Sequence, residues 1–313
     1  MKIVFMGTPD FAAGALEAII KAGHEVTCVV TQPDKAKGRS DKLQMTPVKE
    51  CALRYGIPVF QPVRIKRPEA VEELGRYEAD VYVVAAFGQI LSQEILDMPR
   101  LGCVNIHASL LPKYRGAAPI QWSIIDGEKE TGVTIMQMDA GVDTGDMLLQ
   151  RAIPIEDTDT GESLFDKLCV LGAELILEAL PKLEAGELIP VPQDESASTY
   201  AKMLTKEQGC IDWNTSAPSI ERLVRAMNSW PSAYTYRGGK LLKIWESRVK
   251  TDCDLPAEGT PCGTVLGSDK DRFWVLSGDG VLEVLSVQPE GKKRMSVHDY
   301  LLGKPFEPGE VLG

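Results

Sequence analysis

Short apolar runs recur through the first half of the chain, each followed by a stretch whose apolar positions return every three or four residues. Lys2 to Met6, Val26 to Thr31, Ile57 to Phe60, Asp80 to Ala86, Cys103 to His107 and Thr131 to Asp139 are rich in strand-forming residues. The run at Asp80–Ala86 is almost uninterrupted, as expected of a parallel strand covered on both faces. Between these runs, Phe11 to Ala22 places Phe11, Ala15, Ala18 and Ile19 on one helical face, and Gly23 ends it. Val48 to Tyr55 continues the helical reading. Glu69 to Tyr77 is a charge-rich helix read as a solvated face. Glu162 to Glu184 carries Leu164, Leu168, Leu171, Leu175 and Leu180 near one stripe, the pattern of a long core helix. Strands alternating with helices predict a Rossmann-like, open, mostly parallel α/β sheet. Gly7 and Gly14 do not complete a G-x-G-x-x-G fingerprint, so no dinucleotide is inferred.

The pattern changes near residue 186. Gly186 to Tyr200 is polar, holds Pro190 and Pro192 and has no period, so it reads as a linker. Ser216 to Met227 is a helix with Ser216 as its cap and Pro218 in its first turn. Short strands then dominate: Ala233–Tyr236, Leu241–Val249, Gly263–Leu266, Arg272–Leu276 and Val281–Val287, with Ser277 to Gly280 as a hairpin connection. That spacing suggests a small OB-like β-barrel. The expected organisation is a first domain over 1–189, a linker over 190–206 and a second domain over 207–313.

Bulk properties narrow the classes. A length of 313 residues suits two domains. No apolar run approaches the ~18 residues of a membrane span, and the N-terminus enters a strand without the layout of a signal peptide. Seven cysteines, scattered without a C-x-x-C pair, suggest free thiols in a reducing cytoplasm and give no zinc or other metal site. A formal net charge of −11 argues against a non-specific nucleic-acid binder. Positive charge is nonetheless concentrated locally. Lys35, Lys37, Arg39 and Lys42 crowd one loop, and Lys240, Lys243, Arg248, Lys250 and Lys292-Lys293-Arg294 recur in the second domain, with Lys202 and Lys206 between. Such runs are usually solvated faces, but barrels of this kind also bind nucleic acid through a positive groove.

The strongest candidate chemistry lies between Gly102 and Gln121. The period of a strand puts Asn105 and His107 on one face, a neutral hydrogen-bonding amide beside a group that exchanges a proton near neutral pH. His107 is one of three histidines. The loop that follows, Ser109-Leu110-Leu111-Pro112, is unusually apolar for a surface connection, as though a flat apolar ligand covered it. A buried, satisfied pair at a strand end is the competing reading. Phe87-Gly88-Gln89-Ile90-Leu91 follows the buried strand, and Gly88 permits close approach of backbone to a ligand. Asp139, Asp143 and Asp146 share one tight loop with Gly141 and Gly145; any one of them can be a turn former, and the residues alone do not choose.

Asn105-Ile106-His107 with Ser109-Leu110-Leu111-Pro112, and Asp139-Ala-Gly-Val-Asp143-Thr-Gly-Asp146, resemble the 10-formyltetrahydrofolate-dependent formyltransferase superfamily. The start Met6-Gly-Thr-Pro-Asp-Phe11 and Thr31-Gln-Pro-Asp34 resemble the branch that formylates methionyl-tRNA. The similarity runs from Lys2 to about Val297. It implies that Asn105, His107 and Asp143 are catalytic. It also implies that Phe87 to Leu91, Ser109 to Pro112 and Asp139, Ala140, Gly141 and Val142 bind 10-formyltetrahydrofolate. Lys35, Lys37, Arg39 and Lys42, with Lys206, Lys292 and Lys293, would contact initiator methionyl-tRNA, Arg39 being the important loop residue. A cytoplasmic monomer without a metal is expected. The role of Arg115 stays open. A formyltransferase for amino-sugar nucleotides and a non-catalytic RNA-binding protein on the same fold are the alternatives; glycinamide ribonucleotide enzymes are shorter, and a formyltetrahydrofolate hydrolase would carry further parts. Neutralising the loop cluster together with Lys292 and Lys293 is expected to flatten the salt dependence of tRNA affinity, by roughly 0.7–0.9 in the log–log slope for each phosphate no longer neutralised; an unchanged slope refutes the assignment.

Overall fold

The computed structural model describes residues 1–36, 43–252, 256–307 and 309–313. In chain order it contains β1 (Lys2–Gly7), α1 (Asp10–Lys21), β2 (Glu25–Val30), β3 (Lys35–Ala36), β4 (Leu43–Gln44), α2 (Pro47–Arg54), β5 (Val59–Phe60), α3 (Pro68–Leu74), β6 (Val81–Ala85), α4 (Gln93–Leu96), β7 (Cys103–His107) and β8 (Arg115–Gly116). Then come α5 (Pro119–Ile125), β9 (Glu130–Gln137), β10 (Met147–Pro154), α6 (Gly161–Glu184) and β11 (Tyr200–Ala201). The rest is α7 (Ala217–Ala226), β12 (Ala233–Arg237), β13 (Lys240–Lys250), β14 (Val265–Ser268), β15 (Phe273–Leu276), β16 (Val281–Pro289), β17 (Met295–Ser296) and α8 (Val297–Gly303). Two compact units result. The first holds Met1–Pro119, Glu130–Pro154 and Phe165–Ala201; the second holds Ile120–Lys129, Ile155–Leu164 and Lys202–Gly313. The chain thus passes between them more often than a single cut near residue 190 implies.

The first unit is built on a seven-stranded sheet in the order β10-β9-β7-β6-β1-β2-β5. From β7 to β5 the pairings are parallel; β9 and β10 add an antiparallel edge, so the sheet is mixed. β10 had no clear signal in the sequence. It is an edge strand with no fully buried position, exposing Gln150, Ala152 and Pro154, and Pro154 ends it, where an edge tolerates a missing donor. On one face of the sheet, Val4, Met6, Val84 and Cys103 pack under Val71 and Leu74 of α3 and Ile95 and Leu96 of α4. The charged helix α3 is therefore amphipathic, with Ala70, Val71 and Leu74 buried, and not a wholly solvated face. On the opposite face Gly172 of α6 lies so close that a Cβ there would sit 3.0 Å from Ile106 Cγ2, and the Phe11 and Phe165 rings meet edge-on at 6.0 Å. Cys103, Asn105 and His107 alternate onto the α3/α4 face of β7. Cys103 is under that cover, whereas Asn105 and His107 lie farther along the strand.

Local chemistry starts the helices where the sequence signals them. Thr46 Oγ1 accepts the Lys49 N–H at 3.1 Å with Pro47 in the first turn of α2. The stretch read as a linker is partly ordered onto the first unit: Val191 and Met147 exchange backbone hydrogen bonds at 2.9 Å, and β11 pairs in parallel with β8. Its polar side chains bond to protein groups and not only to water.

The second unit is an all-antiparallel sheet in the order β12-β13-β16-β15-β14, with β17 on β16. Ser277 to Gly280 is the expected hairpin turn, joining β15 to β16. Leu242, Ile244, Phe273, Val275, Leu282, Val284 and Val287 are buried in it, and Ser216 caps α7 by accepting the Ser219 N–H. The short helices α4 and α8 were not foreseen, being too brief to show a period. Among the described residues no helix is long and apolar enough to cross a membrane.

Burial pushes the thiols of Cys28 and Cys103 up to about 12. A thiol reacts as its thiolate. Native protein treated with iodoacetamide at mildly alkaline pH is therefore expected to be alkylated at exposed Cys210 and spared at Cys28 and Cys103, as read by peptide mass spectrometry. Equal labelling of Cys103 and Cys210 would mean that the central strands open readily.

Candidate active site

Asn105 and His107 are both buried, at 8% and 6% exposure, and Asp143 reaches them from the loop after β9. His107 Nδ1 lies 3.8 Å from Asp143 Oδ2, and Asn105 Nδ2 lies 3.5 Å from Asp143 Oδ1. The first distance is too long for a hydrogen bond and the second is at its limit, so the Asn105 amide keeps donor capacity for another acceptor. His107 Nε2 lies 2.9 Å from the Tyr114 carbonyl oxygen. A carbonyl only accepts, so Nε2 carries a proton, and Nδ1 is the ring atom left facing Asp143. Asp143 Oδ2 also accepts the Gly116 N–H at 2.8 Å. Two distant segments thus bring an amide, an imidazole and a carboxylate to one place.

The structure separates the three acids that residue type alone left equivalent and of which the family resemblance singled out Asp143. Asp139 Oδ1 accepts the Gly141 N–H at 3.0 Å and the Thr144 hydroxyl at 2.7 Å, so its carboxylate closes the turn. Asp146 accepts the Gln137 N–H through its backbone. Asp143 is the acid that meets Asn105 and His107. Ala140, Gly141 and Val142 are exposed on the same loop.

Packing explains part of the apolar loop after β7. Leu111 is buried at 3% exposure and Ser109 completely. Thr134 Oγ1 accepts the Leu111 N–H at 3.2 Å and donates to Ser109 O at 2.7 Å. Gln150 Nε2 donates to Leu111 O at 2.8 Å, and Ser109 Oγ donates to Lys113 O at 2.7 Å. Packing under β9 and β10 accounts for Ser109 and Leu111, while Leu110 and Pro112 stay partly exposed. After β6, Phe87 and Leu91 belong to the core cluster. Gly88, Gln89 and Ile90 instead line an open cleft of about 440 Å³ with Gln32, Val63, Arg64 and Lys66. Gln89 fixes its far wall, accepting the Ile65 N–H at 2.7 Å and donating to Pro62 O at 3.0 Å. Arg64 and Lys66 carry no pattern that marks them in the sequence.

Arg115, whose role the sequence left open, is completely buried and grips Glu195 with both terminal nitrogens at 3.0 and 2.7 Å. The Glu195 carboxyl is held below its ordinary range chiefly by that hydrogen bond. Of the basic positions, Lys35 is exposed on β3, and Lys206, Lys292 and Lys293 are exposed in the second unit. Lys37, Arg39 and Lys42 lie outside the described residues. Among the described residues no cluster of His, Cys, Asp or Glu could hold a metal ion.

A family model described as formyl transferase matches residues 1–180, and one described as formyl transferase, C-terminal domain, matches 203–305. The chain belongs to the formyl transferase family. A methionyl-tRNA formyltransferase of Lachnospira eligens is 52% identical over 314 residues, covering 100% of both chains. One of Caldanaerobacter subterraneus subsp. tengcongensis is 50% identical over 313 residues, again covering 100% of both. Within the family the chain therefore groups with the methionyl-tRNA formyltransferases. The crystal structure of an N-formyltransferase from Helicobacter canadensis, in complex with folinic acid and dTDP-3-aminofucose, superposes with a TM-score of 0.67. At 21% identity, over 92% of this chain and 99% of that one, it shares the fold.

Proposed function

We propose that this protein moves the formyl group of 10-formyltetrahydrofolate to the α-amino group of methionyl-initiator tRNA, for translation initiation. The observation that carries the reading is the convergence of Asn105, His107 and Asp143 at the open end of β7, in a chain about half identical to methionyl-tRNA formyltransferases along its whole length. That full-length match favours this acceptor over an amino-sugar nucleotide and over RNA binding without catalysis.

Asn105 Nδ2 donates to the formyl oxygen as negative charge gathers there, a role generally worth ~2.7–4 kcal/mol. His107 Nδ1 and Asp143 handle the proton. The amine nitrogen bonds to the formyl carbon, the bond from that carbon to N10 breaks, and the proton lost by the amine reaches N10 by way of these two groups and water. An α-amine has a pKa of ~7.7–8.0, so a good fraction is already neutral near that pH and a strong base is unnecessary. The Gly116 N–H holds the Asp143 carboxylate beside the His107 ring during the transfer.

The donor is assigned to the surface formed by Gly88, Gln89 and Ile90, by Leu110 and Pro112, and by the exposed turn Ala140 to Val142. Phe87, Leu91, Ser109, Leu111 and Asp139 support that surface from behind. The Gly88 backbone, at a φ of 77° that favours glycine, leaves room for a flat ring to approach main-chain groups. The acceptor is assigned to Lys35, Lys37, Arg39 and Lys42 on residues 1–189, and to Lys206, Lys292 and Lys293 with an OB-like domain over 207–313. In that second sheet Lys243 Nζ and the Arg294 guanidinium approach the Trp245 ring at 5.7 and 5.2 Å, a cation–aromatic surface of the kind on which nucleic-acid bases stack. The protein works as a cytoplasmic monomer, with 190–206 as the joint between its domains.

Purified protein given 10-formyltetrahydrofolate with methionyl-tRNA, glycinamide ribonucleotide, an amino-sugar nucleotide or water is expected to consume the donor with methionyl-tRNA. Turnover with another acceptor and none with methionyl-tRNA would refute the assignment. Asn105→Ala should lower kcat by about 10²–10³-fold, and His107→Ala by about 10²–10⁴-fold, with folate affinity by equilibrium titration little changed. Normal turnover in either variant would remove that residue from the mechanism.

A further inference from the structure

Gln193 lies in the polar stretch that reads as a linker, yet its side chain engages three groups of the framework around the site. Nε2 donates to the carbonyl oxygens of Asp143 and Gly145 at 2.9 and 2.7 Å. Oε1 accepts from Arg115 Nε at 2.9 Å. The amide cannot be turned over, because a guanidinium only donates and a carbonyl only accepts. Arg115 is itself held by Glu195, and it precedes Gly116, whose N–H donates to the Asp143 carboxylate. These bonds close a ring. It runs from the Asp143 carboxylate to Gly116, through Arg115 and its side chain to Gln193, and back to the Asp143 carbonyl.

The ring, and Thr199 beside it, hold two backbone conformations that residues with a Cβ seldom adopt. Asp143 has a φ of 54° and Tyr114 a φ of 61°. Both conformations have functional consequences: one aims the carboxylate, and the other aims the carbonyl that meets His107 Nε2. The same strap holds both. Thr199 Oγ1 accepts the Tyr114 N–H at 2.8 Å, and Thr199 O accepts the Arg115 N–H at 2.9 Å. Gly116 allows the strap to pass, since a Cβ there would stand 2.8 Å from Ala201 O.

We propose that Gln193, oriented by Arg115 and Glu195, is a positioning residue for formyl transfer: it fixes the Asp143 backbone so that the carboxylate stays against the Gly116 N–H beside Asn105 and His107. This rests on the reaction assigned above. The site requires one acceptor and two donors on a side chain of this length, which glutamine supplies. Glutamate has the same shape but, when ionised, sets an oxygen against two carbonyl oxygens. Alanine removes all three bonds.

The test is formylation of methionyl-tRNA by the wild type, Gln193→Ala, Gln193→Glu, Asp143→Ala, and each Gln193 variant combined with Asp143→Ala, in steady state and in single turnover. Each Gln193 change alone is expected to lower kcat about 10- to 100-fold, the order expected when a reacting group is misplaced by ~1 Å. KM for both substrates should stay within about twofold, because Gln193 acts through Asp143 and not on substrate. In the Asp143→Ala background the same change should cost less than about twofold in the single-turnover rate, since the group it positions is gone. An equal loss in both backgrounds, a loss confined to KM, or wild-type kcat in Gln193→Glu overturns the proposal. If Gln193→Ala does not fold by circular dichroism, Gln193→Glu, which fills the same volume, decides the cycle. A wild type that formylates no methionyl-tRNA refutes the reaction; an active wild type matched by both Gln193 variants refutes the positioning role alone.

Discussion

The site depends on β9 running antiparallel against β7. A parallel neighbour would need a crossover of a dozen or more residues. Here Gln137 pairs beside Val104, and the Met138 N–H donates to Cys103 O, so the chain leaves β9 directly alongside β7. The loop of residues 139–146 then folds over the face that carries Asn105 and His107. A carboxylate thus reaches two side chains that precede it by more than thirty residues, as the separation of 38 between Asn105 and Asp143 records.

Close approach is not by itself enough to define a site. Asp143 sits on an exposed turn, and turns move more readily than strands. What restrains it comes from two directions: the Gly116 amide on its side chain and Gln193 on its backbone. The buried guanidinium of Arg115 ties these restraints together. A buried charge is costly unless it is paired and hydrogen-bonded. Arg115 therefore resists any rearrangement that would separate it from Glu195 and Gln193. The same segment pairs with β8 through β11, so the loops holding the imidazole and the carboxylate share one support.

Much of the fold was legible because its signals are local. Apolar runs and helical periods marked β1, α1, β2, β6, β7, β9 and α6 to within a few residues, and Ser216 announced its helix as a cap. Elements without a local signal were missed. β10 is a half-exposed edge strand without a clean polar–apolar alternation, α4 and α8 are short, and the charges of α3 concealed an apolar side that its tertiary partners reveal. The loop Ser109 to Pro112 shows the limit well. Its apolar content stands out along the chain, but sequence could not say that Thr134 and Gln150 reach across from β9 and β10 to bury part of it.

By itself the sequence determined most of the longer strands and helices, the change of pattern after residue 186, the candidate status of Asn105 and His107 on one strand face, and the motifs that mark the family. Periodicity and spacing act within a few residues of each other, which is why they can be read along a chain. Only the tertiary structure decided which of Asp139, Asp143 and Asp146 faces the imidazole, what Arg115 holds, and that the stretch with Gln193 and Thr199 straps the site. Those are contacts between residues tens of positions apart, and they exist only once the sheet has fixed which loops lie side by side.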